Sequence, residues 1–525
     1  MWFNRAAAVT TCLCLYSPFT TVSGSLFGRS NVDIKAALTN KNNQWAANTT
    51  FTFPEDSGFA AVTNRWTIFA PPTFSAVVSP ATEADVIQSV KVAVSNNIPF
   101  LATGARHGYT TTLGTLQNGL EIDLGQLNSV HVDKSAGILT IGGGAQTSDI
   151  LDPVYEAGFE IPIGSCSCTG MAGVTMGAGV GRSQGEYGFV IDSLISARFV
   201  TADGQVVEVS EDSNPELFWG IRGAGANFGI VTSASYKLHP QSNQGQVMNA
   251  DFIFPAEMAP AYFDALQTYN GSFPPNLAVV SIINYNQDTA SPQILANWVY
   301  YGPEDEGRQA MAPIFALNPP IVGVSVVPWN QLLNVAGFGV DLCEKNAIRN
   351  IHSANIKSFS ASTYIEIFDK MATFYAAYPD AAMSIIQMET FPNQAAVAIP
   401  DDSTAYPWRD ALGNMIIIFR WTDRQNKDLA EEANRLAHEI RHDFQATSGY
   451  PDLSVYINYA YGDESLEQKY GAEKLPRLIA LKQKWDPNNV FGYNNPLPTE
   501  HGTMHMDPTL ASSKISDSSK GRDEL

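Results

Sequence analysis

Between Gly164 and Gly181 the chain places six glycines in eighteen residues, at 164, 170, 173, 177, 179 and 181. So many residues without a Cβ mean that the backbone there either passes close to something or turns through conformations other residues avoid. A second glycine cluster, Trp219-Gly220-Ile221-Arg222-Gly223-Ala224-Gly225-Ala226-Asn227-Phe228-Gly229-Ile230-Val231, runs straight into a β-branched strand. A third turn of small residues, Ala102-Thr103-Gly104-Ala105-Arg106-His107-Gly108-Tyr109, follows the strand-like Ile98-Pro99-Phe100-Leu101. Strand-to-turn units of this kind can aim backbone N–H groups at an anion such as a diphosphate. None is the strand–turn–helix dinucleotide fingerprint, which needs all three parts in one βαβ unit.

Around these turns, residues 66 to 240 alternate short strands with helical stretches, the pattern of an α/β or α+β domain. Ala84 to Asn96 carries apolar residues at helical spacing, and Thr82 with Asp85 three residues on marks its start. From Val247 to Asp443 strands such as Leu277–Ile283 and Asn414–Trp421 are separated by longer amphipathic stretches, including Leu429 to Phe444. This reads as a second α+β domain inserted as a substrate cap. Tyr456 to Tyr493 then reads as a return to the first domain, with a helix ending at Asp486-Pro487.

The formal net charge of −21 excludes nucleic acid, whose phosphates need a basic surface. Arg5 followed by the apolar Ala6–Tyr16 reads as a signal peptide ending near Gly24, too short to span a bilayer. With it removed, Cys166, Cys168 and Cys343 remain: too few for a disulfide framework or a four-thiolate metal site, and an odd number, so at least one thiol is left over. No metal is expected. Asn48 and Asn270 head glycosylation sequons. A polar tail from 499 to 525 ends in Arg-Asp-Glu-Leu, close to the endings read by the ER-retrieval receptor. The ER lumen or secretion is therefore the expected location.

The three glycine segments, taken in order with Tyr456-Ile457-Asn458-Tyr459 and Trp485-Asp486-Pro487-Asn488-Asn489-Val490-Phe491, resemble the berberine bridge enzyme-like oxidases over residues 63 to 495. The resemblance implies a two-part FAD-binding domain of the p-cresol methylhydroxylase type (63–242 and 450–498), with a substrate domain on an antiparallel sheet inserted at 247–445. It implies FAD held at two points. The family's Gly-Gly-His-Ser-Tyr turn matches Ala105 to Tyr109 and places one link on His107. Its Cys-Pro-x-x-Gly-x-x-Gly pattern matches Cys166, Gly170 and Gly173, and places the other on Cys166. Thr103, Gly104, Ala105, Arg106, Gly108, Gly177, Asn227, Gly229, Ile230 and Asn458 are the further cofactor-binding candidates. Ala105 and Arg106 stand where the family has glycines, and Ser167 where it has proline.

The resemblance also implies that Tyr109 lines the cavity and that a tyrosine of the Tyr-x-Asn-Tyr segment takes a substrate proton. If that segment is extended, Tyr456 and Tyr459 face opposite ways and only one meets the flavin; Tyr459 is preferred. Period two puts Gln387 and Glu389 of Ser384–Thr390 on one face, either over the isoalloxazine or on a solvent-facing edge. The strand Met415–Phe419 lacks the acid or amide that some members use. The expected reaction is hydride transfer from a small organic substrate, a secondary-metabolite alcohol in the first instance, to flavin N5. O₂ then takes the electrons as H₂O₂, and ring closure can follow. A C1 carbohydrate oxidase, a dehydrogenase with another acceptor, and a flavin-binding protein without turnover are the alternatives.

Overall fold

A computed structural model describes residues 32–499; the stretch read as a signal peptide and the tail beyond Thr499 lie outside the described residues. The first sheet runs Thr50–Thr52, Phe74–Ser79, Gly119–Asp123, Phe100–Thr103, with the last three strands parallel. Its crossover is the helix Glu83–Ser95, started by Thr82 and Asp85 in a reciprocal capping box. The sheet begins earlier than the sequence suggests, because Thr50–Thr52 adds an antiparallel edge strand. The strand expected at Ile98–Leu101 is shifted to Phe100–Thr103, which brings its end closer to His107. A five-stranded sheet of Val130–Asp133, Ile138–Gly142, Ile230–Lys237, Leu194–Val200 and Val206–Ser210 packs beside it, antiparallel throughout.

The largest sheet is antiparallel and seven-stranded. Its order is Ile321–Pro328, Gln246–Pro255, Ser291–Tyr300, Leu277–Asn286, Ile385–Thr390, Gly413–Trp421, Ile348–Ile356. Period two splits its side chains cleanly between two faces. Met248, Ala250, Phe252, Phe254, Ile294, Trp298, Met388, Met415, Ile417 and Phe419 form an apolar core with the helices Ala259–Gln267, Ala361–Ala377 and Lys427–Thr447. The opposite face carries Asn249, Asp251, Asn297, Gln387, Glu389, Asn414, Ser353 and Asn355, all buried. That polar face is the one turned to the site.

The segment expected to be extended at Tyr456–Tyr459 is instead a 3₁₀ turn, Ile457–Tyr459. The chain then returns through Leu475–Trp485, whose buried face holds Leu475, Leu478, Leu481 and Lys482. Lys482 and Asp486 are both fully buried and pair at 2.6 Å. Asp486 also accepts the N–H groups of Val490 and Phe491, which fixes the turn after the helix. Among the described residues no helix is long and apolar enough to cross a membrane.

Candidate functional site

The turn after Phe100–Thr103 is held by its own side chains. Arg106 sits in the left-handed region with φ of 59°, a conformation that glycine adopts without strain. Its guanidinium pairs with Glu121 at 2.6 Å and Asp123 at 2.9 Å, and Thr103 Oγ1 donates to Glu121 at 2.6 Å. Arg65 donates to the Gly108 carbonyl at 2.8 Å. These contacts fix where His107 stands without a glycine pair. The side chains of Thr103 and Arg106 are thus spent on Glu121, and any contact these residues make to a ligand is through the backbone.

His107 is half-buried, its ring stacked on Trp66 at 4.3 Å and 17°. The Arg349 guanidinium lies 4.3 Å from the Trp66 ring. Burial first, then the charges of Arg349 and Arg65, push the imidazole down to about 3, so it is neutral at physiological pH. Cys166 Sγ lies 3.8 Å from His107 Nε2. Cys168 and Cys343 form a disulfide across 175 residues, leaving Cys166 as the free thiol. That bridge, which the cysteine count alone did not assign, ties the Cys166 loop to the substrate domain. Burial pushes the Cys166 thiol up.

The candidate glycines fall into two groups. A Cβ on Gly104 or Gly108 would meet nothing closer than 3.6 Å, and one on Gly173 nothing within 4 Å. A Cβ on Gly170 would lie 3.3 Å from Ala105 N, where the His107 and Cys166 loops approach each other. Protein packing leaves Gly104, Gly108 and Gly173 room, and Gly104 and Gly108 flank His107 in the chain. In contrast, a Cβ on Gly177 would strike the Asn458 amide at 2.3 Å, and one on Gly229 the Val200 carbonyl at 2.4 Å. Asn458 donates to the carbonyls of Gly173 and Val174, holding the helix Met171–Gly177. Asn227 is fully buried, donating to Tyr470 Oη at 3.0 Å and accepting Leu497 N–H at 2.8 Å. Ile230 is buried in the core of the first sheet. The structure therefore does not bring Asn227, Gly229 and Ile230 to the His107–Cys166 space with their side chains; these weld the returning C-terminal segment and the second sheet to the rest.

The tyrosines converge because the 3₁₀ turn brings them to one side. Tyr456 and Tyr459 have ring centroids 4.8 Å apart, and Tyr459 stacks over Tyr109 at 6.4 Å. Their hydroxyls then diverge. Tyr456 Oη accepts the Gly179 N–H at 3.0 Å and the Asn458 amide at 2.8 Å. Burial pushes it up to about 12, held there by those two donors. Tyr459 Oη donates to Glu389 Oε2 at 3.0 Å, and burial and that carboxylate push the phenol well above its ordinary value. Gln387 donates to the other Glu389 oxygen at 3.1 Å. Burial raises Glu389 above the usual carboxylate range. The strand of Gln387 and Glu389 is no solvent-facing edge: it pairs on both sides, with Leu277–Asn286 and Gly413–Trp421.

Trp66, Arg65, Arg349 and the cystine are site features that sequence reasoning missed. They come from segments outside the motifs, and only the fold brings them to His107. The fit of this space to a large polar cofactor rests on three observations: a neutral imidazole beside a free thiol, glycine backbones with open room, and buried polar atoms without partners at Tyr109 Oη and Arg65 Nη1. Residues that would hold such a group are His107, Cys166 and the backbones of Gly104–Gly108 and Gly170–Gly173.

Residues 74–210 match the FAD binding domain family, and 455–498 the berberine and berberine-like family. The FAD-linked oxidoreductase fogF of Aspergillus ruber is 47% identical, aligned over 90% of this chain and 96% of its own. The FAD-linked oxidoreductase srdI of Neurospora crassa is 43% identical, over 90% and 95%. Among solved structures, BBE-like 1 of Physcomitrella patens superposes with a TM-score of 0.77 at 21% identity, covering 90% of this chain and all of that one. The chain belongs to the berberine bridge enzyme-like family of FAD-linked oxidoreductases.

Proposed function

We propose that the chain is an oxidase of small organic alcohols that carries FAD on two covalent links, through His107 and Cys166. The observation that carries this reading is the 3.8 Å approach of a neutral imidazole and the free thiol. Bound FAD would supply the hydride acceptor and, with O₂, release H₂O₂. His107 is poised for a link because its imidazole keeps its lone pair down to acid pH. Cys166 is the free thiol beside it, and burial keeps it protonated, so its link to the ring depends on an electron-poor flavin carbon rather than on a preformed thiolate.

Proton removal falls to Tyr459 with Glu389. As the substrate hydroxyl gives its proton to Tyr459 Oη, Tyr459 passes its own to Glu389 Oε2 along the existing hydrogen bond. A carboxylate with a raised pKa is the better acceptor for that relay. Gln387 fixes the carboxylate, and Tyr109 forms the aromatic wall beside it. Tyr456 is a positioning residue in this reading, since its oxygen already accepts two donors. The apolar side chains Trp329, Leu332 and Leu333 in the adjoining cleft favour a hydrophobic metabolite over an oligosaccharide.

The tethers are tested by mass spectrometry of peptides bearing residues 107 and 166 after acid denaturation. Both should carry flavin mass; a colour that washes out removes the covalent part. A panel of aromatic alcohols and oligosaccharides, read by H₂O₂ release and by anaerobic bleaching, tests the chemistry. Bleaching without rapid reoxidation makes the protein a dehydrogenase. No bleaching with any substrate sinks the enzyme reading. The exposed sequon asparagines Asn48 and Asn270 and the Cys168–Cys343 bridge support folding in an oxidising compartment. ER retention through the Arg-Asp-Glu-Leu ending is part of the proposal, and removal of those four residues should send the protein into the medium.

A further inference from the structure

Arg182 is a cation in want of an anion. It is only 8% exposed, and of its donors only Nη2 has a partner, Asn297 Oδ1 at 3.1 Å. Nε and Nη1 are buried with none, and Arg182 makes no ion pair among the described residues. A buried, unpaired guanidinium is strongly unfavourable unless something completes it. Glu186, four residues on, keeps Oε2 buried without a partner but makes no ion pair with Arg182. Asn297 cannot turn to help, because its amide donates to Asn249 and Asp251, both at 2.7 Å. Glu160, the nearest acid on the same cleft, is taken by the Tyr187 hydroxyl and the Ser242 N–H. Glu389 feels the Arg182 charge, yet its oxygens are bonded by Tyr459 and Gln387 and it makes no ion pair with Arg182.

Arg182 lines a narrow cleft with Ile163, Gly164, Trp329, Leu332 and Leu333. Gly164 places this cleft two residues from Cys166. The sheet then sets the spacing between the residue that holds Arg182 and the one that holds Tyr459. Asn297 and Glu389 are both in register with Val280 on the strand between them, so all three point to the site face in one row. Two interstrand spacings separate them, about 9.6 Å. One residue of that row holds Arg182 and the other holds Tyr459.

We propose that Arg182 binds an anionic oxygen of the substrate, a carboxylate or an ionised phenol or enol, on an apolar body about one aromatic ring from the alcohol that is oxidised. This rests on the reading of Tyr459 and Glu389 as the oxidising end. It also explains how an acidic protein draws in an acidic small molecule: the attraction is local and buried.

The test uses the flavin-loaded enzyme and two pairs of probes. One pair is 4-(hydroxymethyl)benzoate and its methyl ester; the other is 4-hydroxybenzyl alcohol and its methyl ether. Calorimetric binding of benzoate is measured beside turnover. In Arg182→Gln, KM for the ionisable member of at least one pair should rise about 10- to 100-fold, with its ester or ether unmoved, and Arg182→Lys should recover part of the loss. The pair with the larger effect names the anionic group. Equal effects on charged and neutral probes, or no effect on either pair, overturn the proposal; an unchanged flavin spectrum and Tm in both variants show that the fold is intact. If benzoate binding depends on Arg182 while no probe is oxidised, the anion site stands and the oxidising role of Tyr459 falls. If the probes are oxidised with KM indifferent to residue 182, the oxidase stands and the anion site falls.

Discussion

The two faces of the seven-stranded sheet do opposite work. The helix-facing side is closed by aromatic and aliphatic packing, with Phe252 against Phe254 and Phe315 as a typical patch. The site-facing side buries asparagines, acids and a serine, some bonded to one another and some to other elements. Asn355 accepts the Tyr456 N–H, Ser353 donates to the Tyr459 carbonyl, and Glu389 takes the Tyr459 hydroxyl. Buried polar groups contribute little net stability compared with packed hydrocarbon, yet they fix geometry because each has few partners to choose from. One face therefore sets whether the domain folds, and the other sets where Tyr456 and Tyr459 stand.

Substitution on each face should separate the two roles. The largest effect is expected at the proton relay: Tyr459→Phe and Glu389→Gln should each lower kcat about 10²- to 10⁴-fold with the Tm nearly unchanged. Stopped-flow reduction under anaerobic conditions measures this, and a loss of stability matching the loss of rate would break the comparison. Next comes Phe252→Ala on the other face, which should cost about 3–5 kcal/mol in denaturant unfolding and leave kcat per folded molecule intact. A smaller, pH-dependent effect follows from the raised pKa of Glu389. The relay needs the carboxylate ionised, so kcat should fall as pH drops through a point above the ordinary carboxylate range, and that acid limb should vanish in Glu389→Gln.

The helix-facing side was legible in the sequence, since period-two and helical patterns are local: Leu277–Ile283, Asn414–Trp421 and Leu429–Phe444 fall within the observed elements. The site was legible only where one short motif carries the chemistry, as at His107 and Cys166. Tyr456–Tyr459 is a turn, where an extended segment would face its tyrosines apart, because it is shaped from outside by the bonds from Asn355 and Ser353 and by the Asn458 amide reaching Gly173. Propensity cannot report partners a hundred or more residues away. For the same reason period two leaves Glu389 open to site or edge: it gives the face of a strand but not its neighbours. Arg106 in place of glycine is the converse case. The turn keeps its left-handed residue because Glu121 and Asp123, fixed on the adjacent strand, hold the side chain.

The finest test of the comparison is Ser353→Ala. Its hydroxyl donates at 2.8 Å to the carbonyl of Tyr459, the only side-chain hydrogen bond it makes among the described residues. Removing it leaves that carbonyl without its side-chain donor at a cost of about 0.5–1.5 kcal/mol, a modest change in Tm. If the polar face exists to place the tyrosines, the loss should be felt more in kcat than in KM, by a few-fold, because the 3₁₀ turn would relax and lengthen the Tyr459–Glu389 bond on which the relay depends. A fall in Tm with kcat untouched would mean that this bond merely supports the fold. The polar row would then be ordinary packing, and the division between the two faces would shrink to the single pair of Tyr459 and Glu389.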